Sequence, residues 1–190
     1  MPARTLTAPQ WDRWYLTGTP QKITQLECEA FYRYATPGLG RTVVDIGCGV
    51  GAWTRQLARW GLTVTGYDYS SEAIKRAMRS AGHKESYRFW DVDADPVAPD
   101  RAPGSVDIIT CRLSLPYFDW PRLRDTVVPW LPGRGCFHAL IPVTGPSGTR
   151  DPYRRGMTDD QINRLADGWA SATFYRTHQA RGVVLRGYGG

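Results

Sequence analysis

The sequence predicts an α/β protein built on an open, doubly wound sheet with an antiparallel strand near one edge. From residue 42 onward, strand-like and helix-like segments alternate, and the connections are long enough for helices. Such alternation favours parallel strands joined by right-handed crossovers. The last two β-rich stretches, 171–178 and 182–188, are separated only by residues 179–181 and therefore predict an antiparallel hairpin.

The first half of the sheet is predicted from two strands and two helices. Residues 42–46 are a short β-branched run that ends in glycines, which is typical of a buried strand. Residues 52–60 place apolar side chains at helical spacing, and residues 62–68 form the next strand-like run. A helix then runs to about residue 80 from the serines at 70–71, either of which can cap it.

The second half continues the alternation. Strands are predicted at 86–91, 105–111 and 136–143, because each is short and rich in β-branched or aromatic residues. Helical residues are expected between the last two of these strands, around 120–131. A further helix is predicted to begin at Thr158, a residue type suited to the N-cap position.

Length and composition fit one globular domain. The chain has 190 residues, of which 42% are hydrophobic and 22% charged, which excludes collagen-like and disordered classes. No apolar run approaches the roughly 18 residues that a membrane span needs, and residues 1–15 lack the apolar segment of an export signal. We therefore expect a cytoplasmic protein with no membrane partner.

Charge and cysteine content argue against two other classes. The formal net charge is +6, but the arginines are scattered rather than gathered into a basic stripe, so a nucleic-acid partner is not expected. The four cysteines, Cys28, Cys48, Cys111 and Cys136, form no Cys-x-x-Cys pair and have no histidine at zinc-ligand spacing. We expect free thiols and no metal.

The most informative segment is the turn after the first strand, residues 43–53 (VVDIGCGVGAW). A buried strand runs into three glycines at alternate positions and then into a helix. Glycine tolerates positive φ and lets a ligand approach the backbone without a Cβ in the way. The G-x-G-x-G spacing differs from the G-x-G-x-x-G of dinucleotide-binding enzymes, which disfavours a nicotinamide oxidoreductase.

Carboxylates end the next two predicted strands. Asp68 can accept both hydrogen bonds of a ribose diol, although the same position also suits a helix cap or a turn. Asp91 can meet the exocyclic amine of an adenine, and Asp93 or Asp95 in the same loop could take that role instead. With the glycine turn, these residues predict a nucleoside bound across the carboxyl edge of the sheet.

The run from Val43 to Ala77 resembles the opening of a class I S-adenosylmethionine-dependent methyltransferase, and the resemblance continues through FWDVDAD and VDIITC to cover about residues 40–143. It implies a Rossmann-like methyltransferase fold with seven strands in the order 3-2-1-4-5-7-6 and an antiparallel strand 7. It also implies one methyltransferase domain over residues 1–190, with an N-terminal helical lid over 1–38 and an α/β core over 41–190.

The resemblance further implies the cofactor S-adenosyl-L-methionine, with S-adenosyl-L-homocysteine as its product. The loop from Gly47 to Gly51 would lie under the methionine part and the ribose, and Asp68 would hold the ribose hydroxyls. Asp91 and the Val92 amide would contact adenine, and the backbone around Cys111 would meet the methionine amino group. The cofactor-binding residues implied in this way are Tyr15, Asp45, Gly47, Cys48, Gly49, Gly51, Asp68, Tyr69, Asp91, Val92 and Cys111.

The acceptor is expected to bind between an aromatic N-terminal helix and the loops at the ligand edge. By resemblance to similar enzymes, residues 11–15 (WDRWY) would close over the cofactor. The Gly- and Pro-rich segment 144–156 would form a flexible gate. The predicted acceptor-binding residues are Arg112, Tyr117, Phe118 and Tyr153. No catalytic residue is identified, and the candidates are Tyr15, Tyr117 and His178. His83 and His138 are expected to be structural, because they fall away from the ligand edge.

The sequence therefore predicts a methyltransferase that modifies an oxygen, nitrogen or sulfur atom of a small molecule by in-line displacement. Alternatives that remain open are an RNA or protein methyltransferase, a non-catalytic cofactor-binding homologue, and an enzyme that uses the same sulfonium for cyclisation. The partners predicted are a small-molecule acceptor and, for a homodimer, a second copy of the chain; a monomer is equally compatible.

Overall fold

The structure is a computed structural model that describes residues 6–95, 101–145, 147–178 and 180–189. The described residues form a seven-stranded sheet in the order β3-β2-β1-β4-β5-β7-β6. Its strands are β1 (Thr42–Ile46), β2 (Thr63–Asp68), β3 (Glu85–Phe89), β4 (Ile108–Arg112), β5 (Cys136–Pro142), β6 (Trp169–Arg176) and β7 (Ala180–Tyr188). Strand β7 is antiparallel to both of its neighbours, and the other pairs are parallel. The predicted fold class and strand order are confirmed.

Helices precede the sheet and cover both of its faces. They are α1 (Ala8–Thr17), α2 (Gln25–Ala35), α3 (Ala52–Arg59), α4 (Ser71–Arg79), α5 (Trp120–Val127) and α6 (Asp159–Asn163). The predicted caps Ser70 and Thr158 accept backbone hydrogen bonds at the N-termini of α4 and α6. Of the predicted hairpin connection, Gln179 lies outside the described residues. The division of the domain into a lid and a core stays a prediction.

Four strands begin or end two or three residues from their predicted limits, including β7, which begins at Ala180 rather than at residue 182. Strand β3 ends at Phe89, because Asp91 starts a turn in which its carboxylate accepts the amides of Asp93 and Ala94 at 3.2 Å. Strand β4 begins at Ile108, after a turn at residues 102–105. Strand β6 is shifted towards the N-terminus, since Trp169 already pairs with Tyr188.

The sheet divides the core into two layers, as a doubly wound fold requires. Successive residues of β1 serve opposite layers: Val43 packs with Phe31 of α2 and Leu57 of α3, whereas Val44 packs with Leu123 of α5. All five side chains are fully buried. Burial of each stabilises the fold by about 1.5–3 kcal/mol relative to exposure.

A polar network crosses the buried sheet at His138. The indole Nε1–H of Trp53 donates to Thr110 Oγ1 at 3.3 Å, and that hydroxyl lies 2.9 Å from His138 Nδ1. On its other side, His138 Nε2 lies 2.7 Å from the hydroxyl of Tyr175. Burial lowers the pKa of His138 to about 3, so the imidazole is neutral. The geometry gives His138 a structural role, as its position in the strand predicts.

Two findings concern the chain beyond its fold. Within the described ranges, none of the helices combines the length and the apolar character needed to cross a bilayer. In those same ranges, no three His, Cys, Asp or Glu side chains come together in a way that could hold a metal ion.

Candidate functional site

A cavity of about 430 Å³ opens at the carboxyl edge of the sheet. The parallel registers of β1 with β2 and β4 bring their carboxyl ends to this edge, where doubly wound sheets bind ligands. Helix α1, the loop after β4 and the segment after β5 complete the walls. Of the residues predicted to bind cofactor or acceptor, the cavity is lined by Tyr15, Asp45, Gly47, Cys48, Gly49, Asp68, Tyr69, Val92, Arg112, Tyr117, Phe118 and Tyr153.

Three predicted cofactor residues lie beside the cavity rather than in its wall. Gly51 is the N-cap of α3 and packs under the Tyr87 ring, which a Cβ at this position would meet at 2.5 Å. The Asp91 carboxylate holds its own turn, as described above. The Cys111 side chain points into the core, where its sulfur lies 3.1 Å from Ser114 Oγ. The roles predicted for these residues, including the contact of Asp91 with adenine, stay predictions.

The candidate catalytic residue His178 is also remote from the cavity. It follows β6, which is the outermost strand, and β7 separates that strand from β5. The side chain is exposed and does not line the cavity. The parallel direction of β6 brings His178 to the correct edge, but two strand spacings of roughly 5 Å each lie between β6 and β5.

The glycine turn needs glycine at two positions that face the cavity. Gly47 and Gly49 have φ values of +68° and +54°, which residues with a side chain rarely adopt. A Cβ at Gly49 would lie 2.7 Å from the Tyr15 hydroxyl, and a Cβ at Gly47 would lie 2.5 Å from Ser114 Cβ. The turn is held down by hydrogen bonds from the amides of Gly47 and Cys48 to the Tyr67 carbonyl, at 2.8 and 3.0 Å.

Asp68 ends β2 beside this turn with its carboxylate already oriented. Oδ2 accepts the amide of Gly49 at 2.8 Å, and Oδ1 accepts the amide of Ser70 at 2.9 Å. The residue is 7% exposed, and burial raises the pKa of its carboxyl to about 6. The backbone amide of Tyr69 also donates to this carboxylate. A carboxylate has about four lone-pair sites, so three backbone donors still leave room for a hydrogen bond from a ribose hydroxyl.

Asp45, a second buried carboxylate in the cavity wall, anchors the glycine turn from below. Its Oδ2 accepts the Thr54 hydroxyl at 2.7 Å, which ties the end of β1 to the first turn of α3. Burial raises the pKa of Asp45 to about 7. Asp45 therefore combines a structural contact with a position in the cavity wall.

Helix α1 is fastened over the cavity by Asp12. Its Oδ1 accepts the Ser70 hydroxyl at 2.6 Å and the Glu72 amide at 3.0 Å, while Oδ2 accepts the Ser71 hydroxyl at 3.2 Å. These contacts lower the pKa of Asp12, although partial burial opposes them. Arg76 of α4 also donates to the Tyr15 carbonyl. The start of α4 therefore supports both the ribose-side carboxylate and the helix above it.

Aromatic rings from three parts of the chain meet over the cavity. Trp11 is central: its ring centroid lies 5.8 Å from Tyr15, 5.1 Å from Tyr117 and 5.2 Å from Tyr153. Trp14 stacks on Tyr153 at 6.1 Å. We call these five residues the lid cluster. Burial raises the pKa of Tyr15 well above its ordinary value and also raises the pKa of Tyr117.

Arg112, predicted to meet the acceptor, is already paired. Its guanidinium donates to Glu27 Oε2 at 2.8 Å and to the Lys22 carbonyl at 3.0 Å, which ties the end of β4 to α2 and to the residues before α2. The loop after β4, which carries the predicted acceptor residues Tyr117 and Phe118, is fixed to the segment after β5 as well. The Tyr117 hydroxyl accepts the backbone amide of Arg155 at 3.0 Å, so the predicted gate rests on the predicted acceptor loop.

Several cavity residues were missed by reasoning from sequence. Trp11 and Trp14 were visible as part of the aromatic stretch, and the spacing of Trp11 to Trp14 (three residues) and to Tyr15 (four residues) indicates that Trp11 lies next to both on α1. Asp12, which fastens α1 above the cavity without lining it, gave no such signal, because its partners lie 58 to 60 residues away. Arg155 was one of several arginines in its segment, and nothing in the sequence distinguishes it from its neighbours.

Comparison with known proteins agrees with this geometry. The family described as "Methyltransferase domain" matches residues 43–129. A ubiquinone biosynthesis O-methyltransferase of Cupriavidus pinatubonensis is 37% identical over 147 residues, which are 67% of this chain and 58% of the relative. The same enzyme of Paraburkholderia xenovorans is 30% identical over 165 residues, 76% of this chain and 68% of the relative. The chain belongs to the class I S-adenosylmethionine-dependent methyltransferases.

Solved structures support the fold of this methyltransferase. Haemonchus contortus phosphoethanolamine N-methyltransferase 2, solved with phosphomonomethylethanolamine and S-adenosylhomocysteine, matches with a TM-score of 0.68 at 19% identity, over 89% of this chain and 43% of that one. The chain spans 58% and 68% of the two curated relatives named above.

The cavity of this methyltransferase fits the family's cofactor. The positive-φ glycines add no side chain of their own to the floor, and the Asp68 carboxylate lines the cavity beside them, where it can accept a hydrogen bond from a ribose hydroxyl. Val92 lines the cavity one residue after Asp91, in the position predicted for adenine. The residues that would hold S-adenosylmethionine are therefore the glycine turn, Asp68 and the segment at Val92.

Proposed function

We propose that this methyltransferase transfers a methyl group from S-adenosylmethionine to an oxygen atom of a small aromatic acceptor, most simply a phenol. The names of the two relatives support oxygen as the methylated atom. The lid cluster supports an aromatic acceptor, because its rings offer faces and edges on which a flat ring can pack. The single observation that carries the proposal is that one cavity combines the glycine turn and Asp68, which suit a nucleoside, with the aromatic side chains of the lid cluster.

When bound, S-adenosylmethionine supplies an activated methyl group on a sulfonium sulfur. The residues of this chain contribute position and exclusion of water. Asp68 and the glycine turn fix the cofactor end of the cavity, and Trp11 and Tyr15 cover it from α1. Alignment of two reactants in a dry site lowers the barrier of a displacement without any covalent participation of the protein.

Neither phenol of the lid cluster that was a catalytic candidate is suited to remove a proton near neutral pH. Burial raises the pKa of Tyr15 and of Tyr117, and the Tyr117 hydroxyl already accepts the Arg155 amide. We infer that both act as walls and hydrogen-bonding groups. A phenolic acceptor suits such a site, because its own acidity lets the hydroxyl lose its proton to solvent before the acceptor enters the dry cavity. The phenolate oxygen then forms its bond to the methyl carbon as the methyl–sulfur bond breaks.

The proposal is tested with methyl-labelled S-adenosylmethionine and catechol as the acceptor probe. Mass spectrometry should detect labelled methoxyphenol and an equal amount of S-adenosylhomocysteine. Asp68→Ala should abolish both, and His83→Gln, an exposed residue outside the cavity, should leave both unchanged. Labelled RNA or protein, release of methylthioadenosine, or cofactor binding without turnover would each favour one of the alternative functions instead.

The small-molecule class of the acceptor is supported by the enclosure of the cavity under α1 and the segment 144–156. A cytoplasmic location and a monomeric or homodimeric state remain predictions. Gel filtration with light scattering would determine the oligomeric state.

A further inference from the structure

We propose that Arg155 forms an anion subsite in the acceptor cavity, and that the acceptor is an aromatic acid whose carboxylate binds there. This inference rests on the proposed function. It narrows the acceptor from aromatic compounds in general to those that carry a negative group on or near the ring. Arg155 lies in the segment 144–156 and lines the cavity.

The first argument is the pairing of charges around the cavity. Arg112 is paired with Glu27 at 2.8 Å, and Arg154 with Asp151 at 3.5 Å. Asp45 and Asp68 are held by the hydrogen bonds described above. Among the described residues, no carboxylate lies within ion-pair distance of Arg155.

The second argument is the placement of the Arg155 guanidinium. Its Cζ lies 5.8 Å from the centroid of the Tyr117 ring, in cation–π contact. The backbone of Arg155 is fixed to the same residue, because its amide donates to the Tyr117 hydroxyl at 3.0 Å. Tyr117 therefore contacts both the backbone and the guanidinium of Arg155. The N–H groups of the planar guanidinium remain available to donate to a carboxylate.

The third argument is the surroundings of that guanidinium. Tyr117 contacts Trp11 edge to face, with centroids 5.1 Å apart and planes at 82°. Tyr153, two residues before Arg155, makes a similar contact with Trp11 at 5.2 Å. A flat ring inserted among these side chains would have a cation at its margin. A ring with a carboxylate satisfies the apolar walls and the unpaired charge together.

The test uses equilibrium titration of the enzyme saturated with S-adenosylhomocysteine. The probes are 2-, 3- and 4-hydroxybenzoate, each compared with the corresponding hydroxybenzamide at pH 7.5. For at least one isomer, the wild type should bind the acid at least tenfold more tightly than the amide. Arg155→Gln should reduce that ratio to about one without changing the affinity for S-adenosylhomocysteine, and Arg155→Lys should retain part of it.

Arg150→Gln is the matched control, because Arg150 is exposed, lies in the same segment and does not line the cavity. It removes the same charge and should keep the full acid-to-amide ratio. The proposal is overturned if no isomer binds, if acid and amide bind equally to the wild type, if Arg155→Gln keeps the preference, or if Arg150→Gln loses it as well. If the proposed function is wrong, the wild-type protein will instead fail to bind S-adenosylhomocysteine or fail to transfer a methyl group.

Discussion

Asp12 of α1 accepts the hydroxyl of Ser70 at 2.6 Å, and Ser70 in turn caps α4 by accepting the Ala73 amide at 3.1 Å. The amide of Ser70 donates to Asp68 at 2.9 Å. One serine thus connects the helix above the cavity to the carboxylate proposed to hold the ribose. The position of α1 and the orientation of Asp68 depend on the same short segment of chain.

The clasp at Asp12 gives the first prediction. Asp12→Ala removes three hydrogen bonds to a carboxylate and should raise the dissociation constant of S-adenosylhomocysteine about tenfold, or about 1.4 kcal/mol. Calorimetric titration measures this change. Arg13→Ala, its exposed neighbour on α1, should stay within about twofold of wild type. An Asp12→Ala protein with wild-type affinity would show that α1 does not need the clasp.

The glycine turn gives the second prediction, which concerns cofactor binding. Gly49→Ala should reduce S-adenosylhomocysteine binding below detection, because it combines strain at a φ of +54° with a 2.7 Å approach to the Tyr15 hydroxyl. Gly40→Ala is the control: its φ is +77°, but a Cβ there meets nothing within 4 Å. It should lower thermal stability by about 1 kcal/mol and leave binding intact. Equal effects of both variants on binding would contradict the proposal that the cofactor lies against the glycine turn.

The carboxyl pKa of Asp68, about 6, gives a pH prediction. Ribose hydroxyls that donate to the carboxylate favour its ionised form, so affinity for S-adenosylhomocysteine should fall as the pH drops through 6. Binding below this pH should release a proton, which calorimetry in two buffers can detect. Asp45, with a pKa of about 7, titrates in a neighbouring pH range. The variant Asp45→Asn removes its contribution, so that the titration of Asp68 can be measured alone. If Asp68→Asn keeps the inflection near 6, Asp68 is not its source.

The buried imidazole gives a stability prediction. The pKa of His138 is about 3 in the folded protein and 6.5 ordinarily, so the unfolded chain takes up a proton that the folded chain excludes. Stability is therefore present above pH 6.5 and lost as the pH falls. Relative to His138→Gln, the wild type should lose about 2 kcal/mol of unfolding free energy between pH 7 and pH 5. Urea titrations measure it, with exposed His83→Gln expected to follow wild type.

Much of the fold could be predicted because its signals are local. The β-branched run of β1, the glycines after it and the cap at Ser70 each depend on residues a few positions apart. Element limits were less accurate where a turn captured predicted strand residues. Asp91 illustrates this: a carboxylate at a strand end can continue the strand or fold back on two amides, and here it folds back.

The cavity wall was predicted less completely, because it depends on contacts between distant segments. Arg112 was expected to be available to an acceptor, but Glu27, 85 residues earlier, pairs with it. Arg155 acquires its importance from Tyr117, 38 residues away. Neither relationship follows from residue type or spacing, since each arises only when helices and loops pack on the finished sheet.

The most direct test of the account is a crystal structure of the protein with S-adenosylhomocysteine. The proposed binding mode places the ribose hydroxyls at the Asp68 carboxylate, adenine beside Val92 and the sulfur facing the rings of Trp11 and Tyr117. A nucleoside bound away from Asp68, or a glycine turn covered by side chains in the complex, would contradict it.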